Sequence, residues 1–223
     1  MAKRKLQRFA ENATFPHFFQ PAWDELEAGF PLRGRWKEDF FKNSNPLIIE
    51  LGCGKGEYTV DLSGKYPRKN FIGIDKKGAR MWRGAKTSHE DNRANIAFVR
   101  IRAESINKVF ALSEVEEIWI TFPEPQPKAS RESNRFTSPE FIERFRSFLV
   151  PGGTIHLKTD NEMLYNYTLN VVKEGNHELL LATNNLYENP ENPEIADVIS
   201  VRTHYEKIWL EKGLSIKYLR FRL

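Results

Sequence analysis

Three features of this sequence place acids at or near glycines, strand ends or prolines, in patterns that suit ligand chemistry. The first is Glu50-Leu51-Gly52-Cys53-Gly54-Lys55-Gly56, here called the glycine loop, which follows a short apolar run and precedes a segment with helical spacing. Glycines at a strand-to-helix turn let the backbone approach a ligand because no Cβ stands in the way. The second is Asp75, which ends another strand-like segment. The pattern predicts nucleoside binding, with these candidate residues: Glu50, Gly52, Gly54, Gly56 and Asp75.

The spacing of the glycines distinguishes between the nucleotides that the glycine loop could bind. A dinucleotide-binding loop has its third glycine three positions after the second, whereas Gly56 follows Gly54 by two. Glu50 lies in the strand end, where a carboxylate would repel a pyrophosphate but attract a cationic amino-acid group or a hydroxyl. An acid at the end of the second strand, here Asp75, can hydrogen-bond ribose hydroxyls. A nucleoside with positive charge, which S-adenosylmethionine is, meets these requirements; the alternative is that both acids only cap the helices that follow them.

The third feature is Thr121-Phe122-Pro123-Glu124-Pro125-Gln126-Pro127-Lys128, here called the proline loop. Alternating prolines hold the backbone extended and exposed. The loop leaves the C-terminal end of a predicted strand, which is where open α/β sheets place their chemistry. Glu124 is therefore expected to be held rigidly at the functional edge of the sheet, with Lys128 just beyond it. The alternative interpretation is a stiff surface turn.

Strands and helices alternate along the chain in the order needed to bring these groups together. The apolar patterns predict seven strands, at residues 47–51, 70–75, 96–101, 117–122, 154–159, 178–183 and 215–222. Helical spacing separates most of them, which favours an α/β fold with a parallel sheet covered on both faces. The last two strands flank one short helix, so the edge of the sheet can turn antiparallel. Residues 1–45 do not follow this alternation and are interpreted as an N-terminal extension, partly mobile until substrate binds; residues 46–223 form the main domain.

Composition and charge point to a reduced, cytoplasmic, soluble protein with an anionic partner. The chain of 223 residues has a formal net charge of +4, and its first residues are rich in cations: Lys3, Arg4, Lys5 and Arg8. Aromatic residues lie among these and the later basic residues, a combination that suits RNA, although a solvated arm is the alternative. One cysteine excludes an internal disulfide, no apolar run is long enough for a membrane span, and the scattered histidines predict no metal site.

Taken together, the motifs resemble those of the bacterial tRNA (guanine-N7-)-methyltransferase family from about Leu47 to the C-terminus. Members carry an acid before a run of alternating glycines, an acid at the end of the second strand and a Phe-Pro-Asp-Pro-x-x-Lys loop after the fourth. This chain has Glu124 where the family loop has Asp. It has Arg102-Ala103 where the family commonly has Asp-Ala at the end of the third strand, so the contact to adenine expected there would have to come from Glu104 or from the backbone. The resemblance continues with Thr159-Asp160 and with Thr203-His204-Tyr205-Glu206.

The resemblance implies a Rossmann-like class I methyltransferase fold with a seven-stranded, mostly parallel sheet and helices on both faces. It also implies S-adenosyl-L-methionine as cofactor, tRNA as partner, methylation of N7 of a variable-loop guanosine, no metal, no membrane, and a monomer or homodimer. Glu50, Asp75 and Glu124 would line the cofactor pocket, with Glu124 as the catalytic acid. The residues that would contact the substrate are Lys128, Asp160, Thr203 and Glu206.

This interpretation has alternatives, one for a single motif and the others for the chain as a whole. Thr203-x-x-Glu206 is also the pattern of a capping box at a helix start, and both roles can coexist. The chain as a whole could instead methylate another RNA or a small molecule, or be a non-catalytic RNA-binding module with a vestigial cofactor site.

Overall fold

A computed structural model of the chain describes residues 2–223, apart from the side chains of residues 2–4 and 204. Its described residues form one eight-stranded sheet in the order β1-β4-β3-β2-β5-β6-β8-β7. The strands are β1 (Phe18–Phe19), β2 (Leu47–Leu51), β3 (Asn70–Asp75), β4 (Ile96–Arg100), β5 (Val115–Thr121), β6 (Leu149–Thr159), β7 (Glu178–Thr183) and β8 (Lys217–Arg222). The α/β fold with a mostly parallel sheet that the sequence predicted is confirmed, with eight strands in place of seven because β1 was not predicted.

The pairing is parallel from β1 to β6 and antiparallel at β6–β8 and β8–β7, so the predicted change of direction at one edge is confirmed. The sequence predicted a strand that starts at Thr154, after Pro151-Gly152-Gly153. β6 instead begins at Leu149 and runs through these residues, with a register irregularity against β5. The sheet tolerates them because the irregularity frees this stretch from regular pairing.

Eight α-helices lie in the described residues: α1 (Ala2–Asn12), α2 (Trp23–Ala28), α3 (Glu57–Lys65), α4 (Gly78–Glu90), α5 (Pro139–Arg146), α6 (Glu162–Glu174), α7 (Ala196–Ser200) and α8 (His204–Glu211). They cover both faces of the sheet, which alternates its side chains between two apolar clusters. Ile49 and Ile72 belong to the cluster with α5 and α6, whereas Ile48 and Phe71 belong to the cluster with α3 and α4. This alternation is the period-two pattern of a strand buried on both faces.

The N-terminal residues pack on the rest of the chain. β1 pairs with the edge of β4, and Asn12 at the end of α1 donates from Nδ2 to the carbonyl oxygen of Gly78 at 2.9 Å. Trp36 has no exposed surface and donates from Nε1 to the carbonyl oxygen of Val109 at 3.1 Å. The aromatic residues of this segment therefore contribute to the core. The cationic side chains of Lys3 and Arg4 lie outside the described part of the chain.

No helix within residues 2–223 combines the length and apolar character needed to cross a membrane.

Candidate functional site

A cavity of about 470 Å³ opens at the C-terminal edge of the sheet, where the chain order reverses between β2 and β5. Its volume falls in the range of roughly 300–1,000 Å³ that small-molecule sites occupy, and a reversal of strand order is where open α/β sheets bind ligands. Six of the candidate residues line it: Glu50, Gly52, Gly54, Asp75, Glu124 and Thr203. The structure thus brings the glycine loop, the end of β3 and the proline loop to one place.

The glycine loop follows β2 with three left-handed backbone positions, at Gly52 (φ 79°), Gly54 (φ 59°) and Gly56 (φ 74°). L-residues rarely adopt this conformation. A Cβ at Gly54 would meet nothing within 4 Å, so the backbone there faces open space. A Cβ at Gly56 would lie 2.6 Å from the ring of Phe98. Gly54 therefore suits close approach of a ligand, whereas Gly56, which does not line the cavity, lets the loop pack against the sheet.

Glu50 is only 4% exposed and is held by two threonines. Its Oε2 accepts from the backbone N–H of Thr59 at 3.0 Å and from the hydroxyl of Thr59, and its Oε1 accepts from the hydroxyl of Thr121 at 2.5 Å. Burial raises the pKa of the Glu50 carboxyl to about 7, against the lowering effect of these hydrogen bonds, and nearby Asp75 raises it further. The carboxylate thus satisfies a donor in the first turn of α3 and also borders the cavity.

Asp75 connects the end of β3 to the two turns on either side of the cavity. Its Oδ2 accepts from the N–H of Gly54 at 3.0 Å, and its Oδ1 accepts from the N–H of Lys77 at 2.8 Å. The carboxylate therefore fixes the glycine loop and the start of α4 relative to each other. Each oxygen has a further lone pair for a ligand hydroxyl.

The proline loop presents Glu124 at the mouth of the cavity, with its side chain largely exposed. Oε1 lies 3.5 Å from Nζ of Lys77, and Oε2 accepts from Nε2 of Gln126 at 3.3 Å. Phe122 and Gln126 both have φ of 48°, which is unfavourable for residues other than glycine. Backbone strain of this kind persists where surrounding structure enforces it, often at functional sites.

Arg135 helps to hold the proline loop in this strained conformation. It is buried, its guanidinium lies 4.2 Å from the ring centroid of Tyr167, and its Nε donates to the carbonyl oxygen of Gln126 at 3.2 Å. Arg135 therefore supports the proline loop from below the surface, whereas the nearby cations Lys128 and Arg131 are exposed.

Four of the candidate residues do not line the cavity: Gly56, Lys128, Asp160 and Glu206. Lys128 lies at the exposed end of the proline loop, and Asp160 follows β6 at the same edge of the sheet. Glu206 has no exposed surface. Thr203 and Glu206 form the predicted capping box at the start of α8: the N–H of Glu206 donates to Oγ1 of Thr203 at 3.2 Å, and the N–H of Thr203 donates to Oε2 of Glu206 at 3.3 Å.

The cavity is also lined by cations and a tyrosine, most of which were not predicted from the sequence. Several cations border the cavity: Lys55, Lys76, Lys77, Arg80, Arg102 and Arg131. Ala103 and Glu104 lie beside Arg102 in the lining, and Glu104 is one of the predicted substitutes for the family's adenine contact. Tyr58 also lines the cavity, and its buried hydroxyl has no hydrogen-bond partner among the described residues. For the cations at the start of α4, the signal in the sequence was the pair Lys76-Lys77 directly after Asp75.

The amino-acid sequence is similar to a family model and to several proteins of known name. A family model described as "Putative methyltransferase" matches residues 44–219. The tRNA (guanine-N(7)-)-methyltransferase of Christiangramia forsetii is 49% identical over 223 residues, which cover 100% of this chain and 99% of that one. Proteins of the same name from Bacteroides fragilis and Porphyromonas gingivalis are 45% and 49% identical, covering 100% and 94% of this chain and 87% and 86% of theirs.

Solved structures share the fold at low sequence identity. The 16S rRNA methyltransferase KamB superposes with a TM-score of 0.62 at 15% identity, covering 83% of this chain and 91% of that one. The [4+2]-cyclase SpnF superposes with a TM-score of 0.54 at 12% identity, covering 83% and 77%. One fold thus carries unrelated reactions, so function has to be argued from the site and from the close relatives.

Proposed function

The chain belongs to the tRNA (guanine-N(7)-)-methyltransferase family, and we propose that it transfers a methyl group from S-adenosylmethionine to N7 of a variable-loop guanosine in tRNA. The observation that carries the proposal is the 49% identity to a protein of that name over the whole chain. The structure supports it because the glycine loop, Asp75 and Glu124 border one cavity of suitable size.

The residues around the cavity fit this cofactor. Asp75 has lone pairs for ribose hydroxyls, and the open space at Gly54 admits a ligand against the backbone. Glu50 provides a carboxyl group for a cationic amino-acid portion. Arg102 and Glu104 line the cavity at the end of β4, where the family resemblance predicts the contact to adenine. When bound, S-adenosylmethionine supplies an electrophilic methyl group on a sulfonium.

The reaction needs alignment more than proton transfer. Guanine N7 carries an exposed lone pair and no proton at neutral pH, so no base is required to activate it. Holding the two reactants in line supplies up to roughly 7–11 kcal/mol in favourable cases. The methylated base becomes positively charged, and a carboxylate at the cavity mouth stabilises that charge as it develops. We assign this role to Glu124, which also orients the guanine by accepting hydrogen bonds from its N1–H and amino groups.

Substrate contacts follow from the exposed positions around the mouth. Lys128 and Arg131 are exposed and would neutralise phosphates beside the reacting nucleotide. Asp160 and Thr203 lie at the same edge of the sheet and would contact the base, and Glu206 acts on Thr203 through the capping box. Residues 1–45 would add RNA contacts through their basic residues. The enzyme would work in the cytoplasm, where tRNA is found, as a monomer or homodimer.

The direct test is transfer from labelled S-adenosylmethionine to an unmodified tRNA transcript, followed by mapping of the label. We expect the label on N7 of the variable-loop guanosine. Label on another nucleotide, or turnover of a small molecule without RNA, would favour a different methyltransferase, and RNA binding without transfer would favour a vestigial cofactor site.

The role of Glu124 is tested with Glu124→Gln, measured in single-turnover assays. The neutral amide cannot stabilise the developing charge, so we expect a rate at least about tenfold lower, which corresponds to about 1.4 kcal/mol. Glu174→Gln removes an exposed carboxylate at the end of α6 and serves as the control. An undiminished rate in Glu124→Gln would remove this residue from the mechanism.

A further inference from the structure

Residues 184–216 leave the sheet and return to it between two strands that pair directly with each other, β7 and β8. This excursion carries α7 and α8 and brings Thr203 and Tyr205 to the lining of the cavity. Its position therefore decides whether the wall that these two residues form is in place. Buried apolar residues hold part of it, among them Leu186 and Ile195.

A single amine ties the two helices of this excursion to the sheet. Lys158, on β6, has no exposed surface. Its Nζ donates to the carbonyl oxygens of Val198 at 2.9 Å and Val201 at 3.0 Å, and it lies 2.7 Å from Oε1 of Glu206. An ammonium group has three donors, and here each has an acceptor, one in α7, one between the helices and one in α8.

The carboxylate of Glu206 links Lys158 to the wall of the cavity. Oε1 accepts from the hydroxyl of Tyr187 at 2.6 Å as well as pairing with Lys158, and Oε2 accepts from the N–H of Thr203. The same side chain therefore joins the buried amine to the capping box that starts α8. Thr203 is the residue of that box that reaches the cavity.

We propose that Lys158 is a positioning residue for tRNA methylation: through Val198, Val201 and Glu206 it holds the start of α8 so that Thr203 and Tyr205 form the substrate wall of the cavity. The proposal rests on the proposed function for its link to catalysis. The distribution of contacts supports it, because one side chain on the sheet holds both helices and is linked through Glu206 to Thr203. A buried ion pair is also weak evidence of stabilisation, since apolar replacements are often equally stable.

The charges explain why removing Lys158 alone is a poor test. Breaking a buried pair on one side is strongly destabilising because an uncompensated charge stays buried. Lys158→Met would therefore combine loss of position with general destabilisation. The double variant Lys158→Met, Glu206→Gln removes both charges, and Gln at this position retains the capping-box pattern. It restores much of the stability without restoring the contacts to Val198 and Val201.

The experiment compares wild type, Lys158→Met and the double variant in four measurements: thermal unfolding, S-adenosylmethionine affinity, steady-state kinetics with tRNA, and backbone hydrogen exchange. We expect the double variant to regain most of the lost Tm and to bind the cofactor within about threefold of wild type. Its kcat/KM for tRNA should stay at least about tenfold low, with the larger part of the change in KM. Exchange should rise in residues 196–211 and remain unchanged in β2 and β3.

Two results would overturn the proposal: recovery of kcat/KM together with Tm in the double variant, or unchanged exchange in residues 196–211. The exchange result does not depend on activity, so it separates failure of this inference from failure of the proposed function, which inactive wild-type enzyme would reveal. Tyr187→Phe provides a milder variant if the others do not fold. It removes one hydrogen bond to Glu206, and we expect kcat/KM for tRNA to fall about threefold with nearly unchanged Tm; wild-type kinetics would count against the anchor.

Discussion

The buried carboxyl group of Glu50 should make the stability of the ligand-free protein depend on pH near neutrality. Burial raises its pKa to about 7 in the folded protein, from a reference value of 4.5. A group whose pKa is raised on folding contributes stability below its unfolded pKa and loses that contribution as pH rises through the folded pKa. We therefore expect the contribution of Glu50 to lower the free energy of unfolding as the pH rises from about 4.5 to about 7. Above that range this contribution should change little.

The size of this effect follows from the pKa change. Each pKa unit corresponds to about 1.4 kcal/mol, so the full effect is about 3 kcal/mol. Between pH 5 and pH 8, which avoids acid unfolding, about 2 to 3 kcal/mol of it is observable. Glu50→Gln cannot ionise, and its amide can still accept from Thr59 and donate to the hydroxyl of Thr121. The variant should therefore be more stable relative to wild type at pH 8 than at pH 5.

Equilibrium unfolding by urea at several pH values measures the difference in free energy of unfolding between wild type and Glu50→Gln. The contributions of the other titrating groups cancel in this difference. Glu174→Gln, at an exposed position on α6, controls for the loss of one carboxylate. A difference between wild type and Glu50→Gln that stays constant from pH 5 to pH 8 would refute the reasoning. It would mean that the two threonines stabilise the ionised form well enough to offset burial.

Two further predictions concern the glycine loop and the RNA surface. Gly54→Ala should destabilise the protein by about 1–2 kcal/mol through its left-handed backbone alone. Gly56→Ala should cost about 1–3 kcal/mol more, because its Cβ would lie 2.6 Å from Phe98. Equal losses of unfolding free energy in urea would contradict this prediction. Binding of tRNA measured from 50 to 200 mM salt should weaken steeply, and Lys128→Ala should reduce the slope of log affinity against log salt by about 0.7–0.9. Lys173→Ala, at the far end of α6, should leave that slope unchanged, and identical slopes for both variants would exclude Lys128 as a phosphate contact.

Features that depend on residues close together in the chain were predictable from the sequence alone. The positions of the glycines, the acid at the end of β3 and the Thr203-x-x-Glu206 pattern each act within a few residues, because a turn or a helix start is set by local backbone conformation and local hydrogen bonds. Alternating strands and helices then determine where the ends of parallel strands meet. For this reason the amino-acid pattern was sufficient to place the glycine loop, Asp75 and Glu124 at one edge of the sheet.

Contacts between residues distant in sequence, and the burial of those residues, emerge only in the folded chain. β1 has two residues and therefore no periodicity to recognise, and the course of β6 through Pro151-Gly152-Gly153 depends on its partners in the sheet. The same holds for Lys158 and Glu206, which lie in a strand and a helix that are separate in sequence and become a buried pair only when the chain folds. Pair interactions of this kind depend on distance and on exclusion of water, which local sequence does not encode.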